Sequence, residues 1–379
     1  MRKEIYFDNA ATTKPFPEVA EEVMKGLERY YNPSAIYGRS VEISKQIEAV
    51  RKEILRVISA EKGSLIFTSG GTESINWAIR SSARMNKNII TTSYEHDATI
   101  KTMEELSQNG YQVIYIDPQE GRIRKEDILE KVDEKTALVS LVHVNNETGH
   151  IIDLERSCRA IKNKNPKTII HIDAVQSFMK RPIDVESYSI DLLSISGHKI
   201  HGIKGTGALY IKYPEKMKPM LFGGGQEQGL RSGTENVAGI LALGKAVEIG
   251  RYGSVENAKH LADLKRYFLQ RLTEISSIEI NSPEDGADHI LNVSFLGVPS
   301  EIMLHSLEEQ GIYVSSGSAC SAKKKGSRVL EVLRLKDNVR GSAIRFSFSI
   351  YNTREEIDPA IEALKKIVPE IRMLTRFKG

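Results

Sequence analysis

Two neighbouring stretches decide the fold: TIIHIDAVQ at Thr168–Gln176 and LLSISGHK at Leu192–Lys199. Each is a short β-rich run that ends abruptly in polar chemistry. The first delivers Asp173 and Gln176, and the second delivers Ser196, His198 and Lys199. Working outward, the same form recurs. LIFT at Leu65–Thr68 leads into SGGTES and then the helix-like ESINWAIRSSARM. Asn88–Thr92 leads into SYEHD and a helical pattern from about Ala98 that stops at Asn109–Gly110. Tyr111–Asp117, Ala137–Val144 and Ala208–Lys212 continue the series, with helix-like spacing at Arg124–Val132 and Leu154–Lys164. Strands alternating with helices predict an α/β fold whose mostly parallel sheet is covered on both faces. Ligands of such sheets gather at the carboxyl ends of the strands, so the residues after each apolar run are the place to look.

The pattern changes after a long helical segment, Val255–Ile275. Short runs at Ile278–Asn281, His289–Phe295, Ile312–Ser315 and Ala343–Ser349 then alternate with helical segments at Ser300–Gln310, Ser327–Leu333 and Arg354–Phe377. With 379 residues the chain is long enough for two packed domains. The expected division is a large domain over 15–255 and a smaller α+β domain over 1–14 and 256–379.

Composition narrows the function classes. Lys and Arg number 53 against 50 Asp and Glu, a net charge of +3, so no direct nucleic-acid binding is expected. The two cysteines, Cys158 and Cys320, make no disulfide framework and suit a reducing compartment. The start MRKEIYFDNA lacks a signal-peptide apolar run, and nothing approaches the roughly 20 apolar residues that span a bilayer. A soluble, cytoplasmic protein without membrane contact is expected.

An acid, a lysine, an imidazole and a glycine-rich helix start at strand ends suit a phosphorylated aldehyde cofactor, and pyridoxal 5'-phosphate fits well. The Lys199 amine can condense with the aldehyde when neutral. Asp173 would pair with the pyridinium nitrogen and keep the ring an electron sink. Gln176 would hydrogen-bond the ring hydroxyl, and His96 would lie against the ring face and move protons. Gly71 and Thr72 offer backbone N–H groups to the phosphate at a helix start, with Ser196 and His198 as further donors. Taken singly each has a plainer reading, as a solvated lysine, a cap or a satisfied polar group. Their combination in this order is what points to chemistry. His198 and His201 have no evident third ligand, and no metal site is expected.

HIDAVQ, SGHK, TSGGTES, EHDA, HVNNETG, GGGQEQGLRSGT and SSGSAC resemble the cysteine desulfurases of class V of the fold-type-I aminotransferases. The likeness runs from YFDNAATT at Tyr6–Thr13 to IRFSFSIYNT at Ile344–Thr353. The resemblance implies a homodimer in which Thr234 reaches the cofactor phosphate of the neighbouring subunit. It implies that Asn146, also at the cofactor, and Arg345 hold the carboxylate of an L-cysteine substrate, a task suited to a planar guanidinium. Cys320 lies in SSGSACSAKKKGS, without apolar periodicity, which predicts a mobile loop over about 315–327. The resemblance implies that its thiolate takes the substrate sulfur, leaves alanine and hands the persulfide to an acceptor protein. Cys158, within ERSCRAIKNK, reads as structural.

Three departures from the family pattern bear on the acceptor: Gln228 where many relatives have Arg, Tyr37 where many have His, and a slightly shorter segment after Cys320 containing Lys323–Lys325. That triplet suits either thiolate stabilisation, an acidic partner or plain solvation. An iron–sulfur scaffold and a tRNA-thiolating enzyme are equally compatible acceptors. Selenocysteine lyase, an ordinary class V aminotransferase and a non-catalytic scaffold protein are the competing functions.

Overall fold

The computed structural model describes residues 4–252, 254–317 and 327–376. Its centre is a seven-stranded sheet built from β2 (Ser64–Thr68), β3 (Asn88–Thr92), β4 (Gln112–Ile116), β5 (Thr136–Val142), β6 (Ile169–Asp173), β7 (Leu192–Ser196) and β8 (Gly207–Ile211). The order across the sheet is β2-β8-β7-β6-β5-β3-β4. Strands β7, β6, β5, β3 and β4 pair in parallel, whereas β8 runs antiparallel to both β2 and β7. A single strand is therefore reversed. The link from β7 to β8 contains no crossover helix, and only an antiparallel neighbour can be reached so directly. The strands β2, β3 and β7 are buried along their whole length, β2 even at the sheet edge, because both faces are covered.

The covering helices include α3 (Gly71–Ser82), α4 (Asp97–Gln108), α5 (Lys125–Lys131) and α6 (Leu154–Lys164). Two further helices precede the sheet, α1 (Pro17–Glu28) and α2 (Gly38–Val57), and the sequence patterns above announce neither. Proline at the first position of α1 is favourable because that N–H has no helical acceptor. Ile43, Ile47 and Ile54 on α2 form its buried stripe against the main core. The helix α7 (Val237–Tyr252) packs into the main core through Ile240, Leu243 and Val247, and α8 (Ser254–Leu272) carries the chain to a second core.

A second, separate core follows. It joins Ile5 and Phe7 from near the chain start to Leu264 and Phe268 of α8, to β10 (Ile290–Phe295) and to β12 (Ala343–Ser347). A three-stranded antiparallel sheet runs β12-β10-β9, with β9 at Ile278–Ile280. β1 (Ile5–Tyr6) pairs in parallel with β11 (Ile312–Tyr313), and α9 (Ser300–Glu309), α10 (Arg328–Val332), α11 (Asp337–Arg340) and α12 (Arg354–Leu374) complete the unit. Phe7 meets Phe268 and Phe348 edge-to-face at 5.9 and 5.5 Å, which ties the first strand of the chain to its last third.

Candidate active site

The carboxyl ends of β6 and β7 open into a cavity of about 270 Å³. Gly71, Thr72, His96, Asn146, Asp173, Gln176, Ser196, His198, Lys199 and Arg345 all line it. Apolar walls come from Ile75, Val142, Val144 and Val175, and a cover from Ala10 and Ala11. Ten of the twelve expected site residues thus meet in one place. Thr234 is exposed and stands outside the cavity wall, and Cys320 lies outside the described residues, as do Lys323–Lys325.

Each polar group has a defined setting. Asp173 is buried, and one carboxylate oxygen accepts from the Val175 N–H at 2.9 Å. Burial raises its pKa, because a bare carboxylate loses its hydration there. A cationic ring nitrogen beside it would relieve that cost. Gln176 donates through Nε2 to the Ala10 carbonyl at 2.9 Å, while its Oε1 is buried without a partner. A buried orphan acceptor is costly, and a hydroxyl placed there would satisfy it. Gly71 begins α3 with its backbone pressed to the wall; a Cβ at that position would lie 2.7 Å from Val175 Cγ2. These three observations fit a flat, phosphorylated, ring-nitrogen cofactor.

His96 caps α4: its Nδ1 accepts from the Ala98 N–H at 3.1 Å. That bond leaves Nε2 as the protonated nitrogen of the neutral ring. Burial lowers the pKa of His96, so the neutral form is favoured, and any proton it exchanges must pass through Nε2. Lys199 donates to the carbonyls of Ala10 at 2.6 Å and Ala11 at 2.8 Å. His198 bonds Thr12 Oγ1 through Nδ1 at 3.1 Å, and burial drives its pKa down to about 4. His201 is likewise engaged, through Nδ1 with the Lys14 carbonyl at 2.8 Å.

Arg345 is 1 % exposed. It donates to the Asn146 carbonyl at 2.8 Å and to Asp8 Oδ1 at 2.7 Å, and its Nε has no partner. With donors to spare, the guanidinium can still receive a carboxylate. The described residues flanking the Cys320 segment end beside these groups. Ser315 exchanges backbone hydrogen bonds with Arg345, at 2.7 and 3.2 Å. Ser327 donates to the Glu147 carboxylate, and Arg328 donates to the carbonyls of Ser93 and Glu95. Cys158 sits fully buried in the main core, where desolvation drives its thiol pKa upward. It is an inert core residue, as expected.

Sequence reading misses Asp8, the Ala10–Ala11 carbonyls and Glu95. The motif YFDNAATT contains the first three, but nothing local announces that they cross to Lys199 and Arg345. Glu95 is fully buried under the site, accepting from Thr92 Oγ1 at 2.5 Å and the Val142 N–H at 3.0 Å while its Oε2 finds no partner. Burial pushes its pKa up to about 8, with the charge of Asp173 adding to the effect. Its one signal is its adjacency to His96 in SYEHD.

The chain is similar to known proteins over nearly its whole length. The aminotransferase class-V family model matches residues 5–359. A cysteine desulfurase IscS of Clostridium botulinum (strain Hall) is 38 % identical, over 99 % of this chain and 97 % of its own. Among solved structures, a NifS-like protein superposes with a TM-score of 0.90 at 36 % identity, covering 98 % of this chain and 100 % of its own. SspA in complex with cysteine superposes with a TM-score of 0.82 at 30 % identity, covering 93 % of this chain and 100 % of that one.

Proposed function

Because this chain belongs to the class-V aminotransferase family, we propose that it is a pyridoxal-phosphate-dependent cysteine desulfurase that converts L-cysteine to L-alanine. The observation that carries the reading is the single cavity joining Lys199, Asp173, Gln176 and His96 to Arg345. Full-length relatives named cysteine desulfurases support the choice of substrate. Bound there, the cofactor supplies an electron sink that labilises bonds around the substrate α-carbon.

The chain's own residues do the rest. Lys199 would hold the cofactor through its aldehyde, and Asp173 would keep the ring nitrogen protonated. Gln176 Oε1 would accept from the ring hydroxyl, and the N–H groups of Gly71 and Thr72, with Ser196 and His198, would take the phosphate. Arg345 and Asn146 take the substrate carboxylate, and Asp8 steadies the guanidinium as they do so. His96 Nε2 and the Lys199 amine hand protons across the site. Cys320 then takes sulfur in a balanced exchange: the substrate Cβ–S bond breaks, a Cys320 S–S bond forms, and a proton ends on the alanine methyl. Both flanks of its segment are tied to the site, which supports Cys320 as the sulfur carrier.

A homodimer completes the reading, with Thr234 serving the neighbouring subunit's phosphate. Its exposed position, and the exposure of the apolar Ile36 at 95 % and Phe222 at 87 %, support a subunit interface. We divide the chain into a domain over 15–255 and one over 1–14 and 256–379; the two main hydrophobic cores support this reading, with Val329 of the second part packing into the first core. No helix among the described residues is long and apolar enough to cross a membrane. The persulfide passes to an acceptor protein, either an iron–sulfur scaffold or a tRNA-thiolating enzyme.

The test is direct. Purified protein with L-cysteine and a reductant should release alanine and sulfide in equal amounts. Cys320→Ala should stay yellow and lose this activity; full alanine formation by that variant would overturn the mechanism.

A further inference from the structure

A second cavity, of about 570 Å³, lies where the end of α2, the turn at 178–183 and the start of α8 come together. It is larger than the active-site cavity of about 270 Å³ and shares no lining residue with it. Both main cores contribute to its walls. Ile58, Phe178 and Ile183 are buried members of the first, and Ala258 stands one helical turn before Leu261 of the second. The turn between them is fixed in place. Met179 holds a left-handed φ of 63°, uncommon for a residue with a side chain, and its Cε lies 3.1 Å from where a Cβ on Gly250 of α7 would stand. The space is therefore formed before anything enters it, as ligand cavities usually are.

The lining has only two kinds of side chain among the described residues. Eight are apolar, and the other four are the cations Arg56, Lys180, Arg181 and Arg251; no acid and no neutral polar side chain lines the space. Arg56 and Arg251 share the carboxylate of Glu53, at 2.6 and 2.5 Å, so two guanidinium groups rest on one acid. Lys180 and Arg181 have no ion-pair partner among the described residues. Lys180 is half-buried, and its ammonium reaches the Gln176 carbonyl at 3.4 Å, a weak contact. The whole chain carries a net charge of only +3, so a wall of one sign is a local arrangement and not a result of composition.

The two halves of this lining select an occupant together. A small inorganic anion would pair with the cations but leave the apolar walls bare, and a neutral hydrocarbon would do the reverse. We propose that this cavity binds an amphipathic anion: a compact apolar body seated against Ile58, Phe178 and Ile183, with its acidic head on the cationic side chains, of which Lys180 and Arg181 have no acid of their own. The occupant would touch both cores. Met179, Lys180 and Ala258 also line a cavity of about 50 Å³ whose wall includes Lys199, so the site stands close behind the active site. The inference does not depend on what the active site does to cysteine.

Isothermal titration of decanoate, below its micelle-forming concentration, into the full-length protein loaded with pyridoxal phosphate tests this. One decanoate should bind per chain. Decanol, which lacks the charge, and acetate, which lacks the body, should each bind about tenfold more weakly or worse. Lys180→Met combined with Arg181→Gln should weaken decanoate about tenfold or more. Ala258→Trp, which fills the space and keeps every charge, should abolish binding, with circular dichroism showing that each variant is folded. Absence of decanoate binding, or an unchanged affinity in either folded variant, overturns the proposal. So does equal binding of decanol, which would leave the cations without a role. Loss of binding in Arg345→Gln also overturns it, because decanoate would then sit in the active-site cavity. A chain inactive on cysteine would sink the desulfurase reading and leave this titration standing.

Discussion

The cavity has a floor and a roof made in different ways. The floor is Asp173, Gln176, Ser196, His198 and Lys199, all at the ends of the adjacent parallel strands β6 and β7. The roof is a stretch near the chain start, Asp8 to Thr13, held against Arg345 on β12 more than 300 residues away. The floor presents groups suited to a cofactor, and the roof groups suited to a substrate carboxylate. The two are joined by several hydrogen bonds, among them a pair at the Ala10 carbonyl, which accepts from both Gln176 and Lys199. Neighbouring strand ends bring chemistry together with short connections, while a substrate clamp between two hydrophobic units requires long-range contacts.

Four experiments would break or sharpen this contrast. The largest effect belongs to the floor: Lys199→Ala should lower the rate of alanine formation by about 10⁴-fold or more, since the proposed covalent participant is lost. A steady-state assay with excess cofactor checks it.

Next comes Glu95, beneath the floor. Its folded pKa of about 8 exceeds the ordinary 4.5, so the folded state binds this proton more tightly than the unfolded chain. Stability should be greatest below the ordinary value and fall as pH rises toward 8. Each pH unit crossed between the two values removes about 1.4 kcal/mol, so the loss amounts to several kcal/mol. Thermal melts across that window should show the decline in the wild type and a flatter profile in Glu95→Gln.

The roof is tested by Asp8→Asn, which leaves the buried guanidinium of Arg345 without its counter-charge. Denaturant titration should show a loss of about 2 kcal/mol, less than for a fully buried pair because Asp8 is partly exposed. The KM for cysteine should rise by about tenfold with a smaller change in kcat, because carboxylate placement is what suffers. The smallest effect is expected for Gln176→Leu. Removing one hydrogen bond at the ring costs about 1 kcal/mol, roughly fivefold in cofactor affinity, readable by titrating stripped protein with pyridoxal phosphate.

Legibility follows the same division. The strand ends at Asp173–Gln176 and Ser196–Lys199 are readable because an apolar run stopping at polar residues is a local signal. The helices α1 and α2 are not, and neither is the reversal of β8, since the connection and not the strand's own residues sets its direction. Asp8 gives no local sign of being a partner for Arg345. Glu95 looks like a neighbour of His96, and only its burial makes it a strongly shifted acid.

Taken alone, the order of residues determined that a parallel-rich sheet would carry an acid, an amide, an imidazole and a lysine at its strand ends, and which chemistry those groups could serve. Tertiary structure alone decided that the Ala10 carbonyl would hold Lys199 and that Asp8 would hold Arg345. The reason is physical. Hydrophobic periodicity and turn residues act over a few positions along the chain, but electrostatic and hydrogen-bond partners are chosen by distance in space. Those distances exist only once both cores have closed.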